Sequence, residues 1–203
     1  MHPVVALVLA YLLGSVPTAY AAGKLFGGID LREHGSRNLG ATNVYRVLGW
    51  RVALLVLAVD IGKGALPAAL FPRWVSAPNP ELWAIAFGLA AILGHVRSIF
   101  LLLRGGGKGV ATAAGVFLAL APLPTLIALA VFLVVVLGTG YVSAASLSAA
   151  ITLPIAVLAE RGPRSALFAV SLAVGAFVFW THRANIGRLR RGEESRFGRK
   201  PSA

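Results

Sequence analysis

The chain has 203 residues, of which 58% are hydrophobic and 13% are charged, and its formal net charge is +12. Soluble domains average about 25% charged residues, so this apolar surplus excludes an ordinary aqueous globule and indicates a helical integral membrane protein. The sequence contains no cysteine, which excludes disulfides, zinc thiolate sites and a thiol nucleophile. The positive residues lie between apolar stretches, an arrangement that favours anionic lipids and anionic substrates over nucleic acid.

The first apolar stretch, residues 3–22, has one feature of a secretory signal peptide, because the Ala-Tyr-Ala sequence at 19–21 imitates a cleavage site. A signal peptide normally begins with positive residues. Here no lysine or arginine precedes the apolar stretch, and His2 is the sole residue before it that can carry a positive side chain. Lys24 follows the stretch. We therefore predict a first membrane helix that is retained in the protein.

Seven apolar stretches approach or reach the length of about 20 residues that a helix needs to cross a bilayer core. They cover residues 3–22, 50–71, 82–103, 109–122, 124–140, 142–159 and 165–182. The region 109–140 admits two interpretations, because Pro122 and Pro124 would break a single helix. We predict two short helices joined by a tight turn, and hence an all-α fold with seven transmembrane helices. Six spans is the alternative.

Basic residues in the connecting loops predict the orientation, because cytoplasmic loops are enriched in lysine and arginine. With seven spans, the loops 23–51 and 104–108, the turn at 139–141 and the tail after 182 share one side of the membrane. That side carries fourteen basic residues and the opposite side carries three. We therefore expect the N-terminus outside and the C-terminus in the cytoplasm. Six spans would not place these four segments together.

The segment at residues 34–46 is rich in hydrogen-bond donors and contains no acid. Gly35 and Gly40 allow the backbone to approach a ligand closely, and the small polar residues between them can form a nest for phosphate or carboxylate. Thr42 or Asn43 would cap the next helix, whose N-terminus also favours an anion. We predict a phosphate-binding loop; the alternative is a solvated connection with ordinary caps. Its candidate ligands are Ser36, Asn38, Thr42, Asn43 and Arg46.

A second glycine-rich segment, RGGGKGVAT at residues 104–112, leads into a helix. It does not match a nucleotide P-loop, because Leu102 occupies the position of the first glycine and Gly109 that of the serine or threonine after the lysine. Its backbone and its lysine can still hold an anion. We predict a second phosphate-binding loop, with a flexible hinge as the alternative. Its candidate ligands are Gly106, Gly107 and Lys108.

Some polar residues lie inside the apolar spans. Asp60 and Lys63 are three residues apart on one helix face and within pairing distance, and His95 lies in the third span. Because intramembrane charges usually face a polar interior, these residues either support the site or form a structural cluster. Ser143 and Ser146, one turn apart at the start of the sixth span, are either phosphate ligands or hydroxyls used in helix packing.

His182 and Asn185 follow the last span and share a helical face, with Arg188 close by. A histidine at the boundary of membrane and water can act as a general base or a hydrogen-bond donor. The alternative is an amphipathic tail whose arginines bind anionic lipid. All these polar segments share the predicted cytoplasmic side or lie in spans leading to it, which predicts a site for two anionic groups. The acids are too few and too scattered to suggest a metal site.

The motifs GSRNLGATN, GGKGVAT and HRANIGRLRRGEE, in this order, resemble the PlsY family of bacterial membrane glycerol-3-phosphate acyltransferases. The resemblance begins at GSVPTAY and covers nearly the whole chain. It implies seven helices and transfer of an acyl chain from acyl phosphate to the 1-hydroxyl of glycerol 3-phosphate. The products would be lysophosphatidate and inorganic phosphate, in the first step of phospholipid synthesis. It also implies the bacterial cytoplasmic (inner) membrane, an active site facing the cytoplasm, and a functional link to the enzyme that makes acyl phosphate.

The resemblance and the residue chemistry together suggest roles. The first loop would hold one phosphate and Lys108 with its glycines another, helped by Ser143 or Ser146. We expect Lys108, His182 and Asn185 to be catalytic, with Asn185 orienting the acceptor and the proton passing to His182 or to the acyl phosphate. Transfer would be direct, because phosphate is already a good leaving group. The expected partners are acyl phosphate, glycerol 3-phosphate and membrane lipids, with no cofactor, metal or nucleic acid.

Two other functions would be compatible with some of the same sequence features. A transporter for an organic phosphate would need similar loops, together with polar residues on the outer side and an internal repeat. The outer loops are poor in such residues, and no repeat is evident. A non-catalytic scaffold would not need two phosphate-binding loops. We predict a single domain over residues 1–203 with a mobile tail at about 195–203.

Overall fold

The computed structural model describes residues 1–76 and 78–197, in which the regular secondary structure is helical. The helices are α1 (Pro3–Ser15), α2 (Thr18–Gly27), α3 (Ala41–Leu48), α4 (Trp50–Leu70), α5 (Pro80–Val96), α6 (Val110–Leu120), α7 (Pro122–Thr139), α8 (Val142–Arg161), α9 (Ala166–Thr181) and α10 (Arg183–Arg190). Short 3-10 turns follow α4 and α5, at Phe71–Trp74 and Ile99–Leu101. The chain forms two compact units, residues 1–120 and the residues from 121 onward.

Five helical segments of the described chain are long and apolar enough to cross a membrane. They are Pro3–Gly27, Trp50–Trp74, Pro80–Leu101, Pro122–Thr139 and Val142–Arg161. The bent pair α9 and α10 would make a sixth, and α6, with 11 residues, is shorter than a typical span. The protein is therefore an all-helical integral membrane protein, as predicted. The count of seven and the orientation stay predictions.

The first span is not the continuous helix predicted over residues 3–22. Helix α1 ends at Ser15, Val16 and Pro17 leave the helical conformation, and α2 begins at Thr18. Proline lacks an N–H and its ring clashes with the preceding turn, which explains why the break falls here. The break leaves carbonyl groups of α1 without helical partners, and lipid cannot satisfy them.

The predicted break within residues 109–140 is confirmed. Helix α6 ends at Leu120 and α7 begins at Pro122, so Ala121 alone forms the predicted tight turn between them. Pro122 and Pro124 fall in the first turn of α7, where their missing N–H groups cost no helical hydrogen bond.

In the first unit, glycines allow neighbouring helices to approach closely. A methyl group at Gly64 of α4 would collide with the Thr112 carbonyl of α6, and one at Gly14 of α1 with the Ala91 carbonyl of α5. Small residues at such contacts are the usual means of helix packing in membranes. As a result α1, α4, α5 and α6 pack as neighbours, and the polar residues of the first three meet inside this unit.

The second unit is built from α7 to α10, with α8 packed against both α7 and α9. Helices α9 and α10 meet at His182 with a bend of 58°. This bend ends the last apolar helix where the sequence predicts the end of the seventh span.

The segment after α10 returns to the turn between α7 and α8. The N–H of Phe197 donates to the Gly140 carbonyl at 2.6 Å, and Arg196 Nε donates to the Tyr141 hydroxyl at 3.2 Å. These contacts cover the beginning of the tail predicted at 195–203. The rest of that tail, residues 198–203, lies outside the described residues.

Candidate functional site

A buried asparagine braces the first predicted phosphate-binding loop. Asn43 is 1% exposed, and its Oδ1 accepts a hydrogen bond from the N–H of Ser36 at 2.8 Å. Its Nδ2 donates to the carbonyl oxygens of His34, at 3.1 Å, and Leu31, at 3.4 Å. The side chain of this candidate ligand therefore holds the loop itself, and its predicted phosphate contact stays a prediction.

The loop ends in a helix that begins earlier than expected. Helix α3 starts after Gly40, and no side chain caps it, so the prediction that Thr42 or Asn43 is the cap is wrong. Both residues lie in the first turn of α3. The other candidate ligands, Ser36, Asn38 and Arg46, are exposed or half-buried, as Thr42 is. Their polar groups can therefore reach a ligand in solution.

An ion pair fixes the start of this loop. Arg32 lies 2.6 Å from Asp30 between Nη2 and Oδ2, and its backbone N–H donates to Asp30 Oδ1 at 2.9 Å. These hydrogen bonds from Arg32 lower the pKa of the Asp30 carboxyl to about 2. The carboxylate therefore stays ionised at neutral pH, where its charge is paired with Arg32 and does not oppose an incoming anion.

The second glycine-rich segment lies directly against the end of α5. A methyl group at Gly106 would collide with the carbonyl of Val96, and one at Gly107 with the imidazole of His95. Both glycines are thus required by the close approach of the backbone to α5. Lys108 follows them and is half-buried.

Asp60 and Lys63 form the ion pair that their spacing predicts. The Lys63 Nζ lies 2.7 Å from Asp60 Oδ1, and the two residues are 4% and 1% exposed, respectively. His95, predicted as a possible support, lies beside them with Nδ1 at 3.6 Å from the same oxygen. A cavity of about 10 Å³, the size of one water molecule, is lined by Lys63, His95, Gly106 and Gly107 among others.

In the second unit, His182 is buried at the junction of α9 and α10. Its Nδ1 lies 2.8 Å from the Val178 carbonyl oxygen. Because a carbonyl oxygen can only accept, this hydrogen bond places a proton on Nδ1. In the neutral ring Nε2 then carries the lone pair, which is the atom that can accept a hydrogen bond or a proton from a substrate hydroxyl.

The structure also identifies a residue that the sequence analysis missed. Glu194 is 8% exposed; its Oε1 accepts a hydrogen bond from Asn185 Nδ2 and its Oε2 one from Arg188 Nε, both at 2.6 Å. Gly192, with φ 72°, reverses the chain after α10 and brings this carboxylate back to the helix. The available signal was the Gly-Glu-Glu sequence directly after an arginine-rich helix.

The environment of Glu194 distinguishes the two candidate serines. Burial opposes its ionisation, but the Asn185 amide, the Ser143 hydroxyl and the Arg188 guanidinium together lower the pKa of the carboxyl. Ser143 Oγ is buried near this carboxylate. Within the described residues, its geometry does not satisfy the criteria for a hydrogen bond. Ser146 Oγ donates to the Val142 carbonyl at 2.8 Å within α8. Ser143 is therefore the serine associated with the polar cluster of Asn185.

These features define a helical membrane protein with polar clusters built from basic and small residues. Residues 4–192 match the family model described as glycerol-3-phosphate acyltransferase. A relative of that name from Geotalea daltonii is 46% identical over 97% of this chain and 98% of its own length. Another, from Trichlorobacter lovleyi, is 48% identical over 93% of this chain and 94% of its own length.

Solved structures agree with this match. The chain resembles PlsY (YgiH), described as an integral membrane glycerol 3-phosphate acyltransferase, in its glycerol 3-phosphate form, with a TM-score of 0.88 and 38% identity. That match covers 97% of this chain and 96% of PlsY. The lysophosphatidic acid form gives a TM-score of 0.85 and 36% identity, over 97% and 95% of the two chains. The chain belongs to the family of membrane glycerol-3-phosphate acyltransferases.

The hydrogen bonds of Glu194 make its charged form a stabilising element. We expect Glu194→Gln to lower the free energy of unfolding at pH 7 by about 2 kcal/mol, a typical value for hydrogen bonds to a charged group. Because the folded pKa lies below the ordinary 4.5, this stabilisation is present above pH 4.5 and is lost as the pH falls through the folded pKa. Thermal unfolding in detergent from pH 3 to 8 measures the difference.

Glu193→Gln is the matched control. Glu193 pairs with Arg191 at 2.7 Å, but these side chains are 56% and 60% exposed, and such pairs contribute little. An equal loss of stability in both variants, or a Glu194→Gln effect that persists unchanged at pH 3, would contradict the assigned role.

Proposed function

We propose that the protein transfers an acyl chain from acyl phosphate to the 1-hydroxyl of glycerol 3-phosphate, releasing lysophosphatidate and inorganic phosphate. The observation that carries this proposal is the likeness, over 97% of the chain, to PlsY in its glycerol 3-phosphate and lysophosphatidic acid forms. Acyl phosphate as donor is supported by the two cationic, glycine-containing segments, since both substrates of such a reaction carry a phosphate.

One phosphate is held by the first loop, and the other by the Gly106–Lys108 segment. In the first loop, Ser36, Thr42 and Arg46 supply the hydrogen-bond donors, while Asn43 keeps the backbone in shape. In the second segment the backbone N–H groups and Lys108 supply the positive field. Ser143 is favoured over Ser146 as an additional phosphate ligand, because the Ser146 hydroxyl is bound within its own helix.

The reaction needs little beyond positioning and charge stabilisation. The 1-hydroxyl oxygen attacks the acyl carbonyl carbon, the bond from that carbon to the phosphate oxygen breaks, and inorganic phosphate leaves with the electron pair. His182 Nε2 accepts a hydrogen bond from the 1-hydroxyl and orients it. The hydroxyl proton ends on the departing phosphate, directly or through His182. Asn185, held by Glu194, orients the acceptor.

We also propose that residues 1–203 form one acyltransferase domain in the bacterial cytoplasmic membrane. The family match over residues 4–192 supports a single domain. Helix α6 would be the seventh crossing, with the N-terminus outside and the site residues facing the cytoplasm, as the fourteen basic residues on that side indicate. The enzyme that makes acyl phosphate would then supply the donor on the same side.

Single-cysteine labelling tests this topology without background, because the natural chain has no cysteine. Glu33→Cys and Gly138→Cys should react only with a reagent on the cytoplasmic side, and Arg164→Cys only with one on the outside. A methyl group at Gly138 would meet open space, so the substitution is tolerated. With six crossings, Gly138→Cys would lie on the side opposite Glu33→Cys. Labelling of these two variants from opposite sides would therefore exclude seven crossings.

The function itself is tested with purified protein in detergent. Acyl phosphate, acyl-CoA and acyl carrier protein are each offered with glycerol 3-phosphate, and phosphate release and lysophosphatidate are measured. We expect product with acyl phosphate alone, and a loss of at least about a hundredfold in kcat/KM for Lys108→Ala and for His182→Ala. Glu160→Gln, on an exposed ion pair of α8, is the control and should keep normal activity.

Each other outcome has a definite meaning. Product from a thioester donor would retain acyl transfer and reject acyl phosphate as the required donor. No product from any donor, combined with uptake of glycerol 3-phosphate into vesicles, would favour the organic-phosphate transporter instead.

A further inference from the structure

The break in the first span is held by side chains from α4 and from the segment that follows α5. The carbonyl of Ser15, at the end of α1, accepts a hydrogen bond from Ser98 Oγ at 2.5 Å. The carbonyl of Val16 accepts one from Lys63 Nζ at 2.9 Å. At the start of α2, Thr18 Oγ1 donates to Asp60 Oδ1 at 2.5 Å. The buried ion pair is therefore built into the break.

The direction of the ion pair matches the two helix ends. Lys63 lies at the C-terminal end of α1, where the carbonyl groups carry partial negative charge, and Asp60 lies at the N-terminal end of α2, where the N–H groups carry partial positive charge. An exchange of the two charges would oppose both helix dipoles. The direction of the pair is thus favoured by the partial charges of the two helix ends, in addition to the attraction between Asp60 and Lys63.

His95 connects this pair to the second glycine-rich segment. One edge of its imidazole faces Asp60, with Nδ1 at 3.6 Å from Oδ1. The other edge, at Nε2, lies so close to Gly107 that a methyl group there would collide with it. The cavity of about 10 Å³ that Lys63 shares with Gly106 and Gly107 lies at the same place. His95 therefore lies between the buried ion pair and the backbone of the glycine-rich segment.

A segment with three consecutive glycines has little intrinsic preference for one conformation. To bind a phosphate it must hold its N–H groups in one arrangement, and a displacement of about 1 Å can cost a hundredfold in rate. A rigid side chain can support the segment on the face that packs against α5. His95, which lies between Asp60 and Gly107, is placed to provide that support.

We propose that Asp60 is a positioning residue for the glycine-rich segment: paired with Lys63 and anchored at the break in the first span, it holds His95 against Gly107 and so fixes the anion-binding shape of residues 105–108. This proposal rests on the proposed function and assigns a role to a buried cluster that does not itself touch the reacting atoms. It predicts that the cluster controls the binding of one of the two substrates, the one held by this segment.

The test uses a neutralised pair, Asp60→Asn with Lys63→Met. Removing both charges together leaves no unpaired ion in the membrane, and such replacements are often neutral for stability. The Val16 carbonyl keeps its hydrogen bond from the Thr18 N–H at 3.0 Å. We expect thermal unfolding in detergent close to that of the natural protein, but a KM for one substrate raised by about tenfold to a hundredfold. The KM for the other substrate should not change.

Gly107→Ala perturbs the same contact from the other side. It should raise the KM of the same substrate, and its combination with the neutralised pair should be markedly less than additive, because both changes act on one contact. His95→Gln should also raise the KM of that one substrate selectively. If the neutralised pair does not fold, His95→Gln takes its place in the test. Glu160→Gln with Arg161→Met, an exposed pair on α8, is the control for charge removal.

The proposal is overturned if the neutralised pair, or His95→Gln where the pair does not fold, leaves both KM values unchanged. It is also overturned if these variants raise both equally, or if the effects with Gly107→Ala add in full. Any of these would make the pair a purely structural element. Failure of the proposed function is a separate result, because it would appear in the natural protein as absence of acyl phosphate-dependent transfer before any variant is made.

Discussion

The ion pair between Asp60 and Lys63 is the interaction that joins α4 to the break between α1 and α2 in the first unit. Each buried charge costs several kcal/mol of desolvation, and mutual attraction offsets this only when the geometry is good and further hydrogen bonds are made. Both conditions are met here, because the charges also bind the broken ends of α1 and α2. The break, in turn, ends α1 beside α5 and the glycine-rich segment, so a membrane helix, an ion pair and this segment form one polar arrangement.

The second unit also contains a buried acidic residue with several polar partners, and this residue lies outside the apolar spans. Glu194 binds Asn185 and Arg188, and the Val178 carbonyl fixes the proton of His182 on Nδ1. In both units an acidic residue holds cationic or amide side chains in place. The chain is strongly basic and has seven acids. At least three of these acids, Asp30, Asp60 and Glu194, hold basic or amide side chains in place.

Much of this arrangement follows from local sequence. Spacing predicts the Asp60–Lys63 pair, and Pro122 predicts the break before α7, because both effects act within one or two turns. The break at Pro17 was missed, since its cost is offset by Lys63 and Ser98 from distant parts of the chain. Thr42 or Asn43 was expected to cap a helix, but neither does, and Asn43 braces a loop instead. Glu194 was not recognised. The roles of Asn43 and Glu194 both depend on how the chain folds back on itself. Sequence pattern alone could not separate Ser143 from Ser146, whereas the hydrogen bond of Ser146 within α8 does.

In the proposed reaction an activated donor, held by positioned charges, transfers its acyl chain directly to the acceptor. Intact-mass measurement of the protein after incubation with acyl phosphate, in the absence of glycerol 3-phosphate, tests this most directly. We expect an unmodified protein mass at every time point, followed by normal product formation when glycerol 3-phosphate is added. A mass increase of one acyl group, mapped to Ser143 or another side chain and discharged by glycerol 3-phosphate, would contradict direct transfer and establish a covalent intermediate.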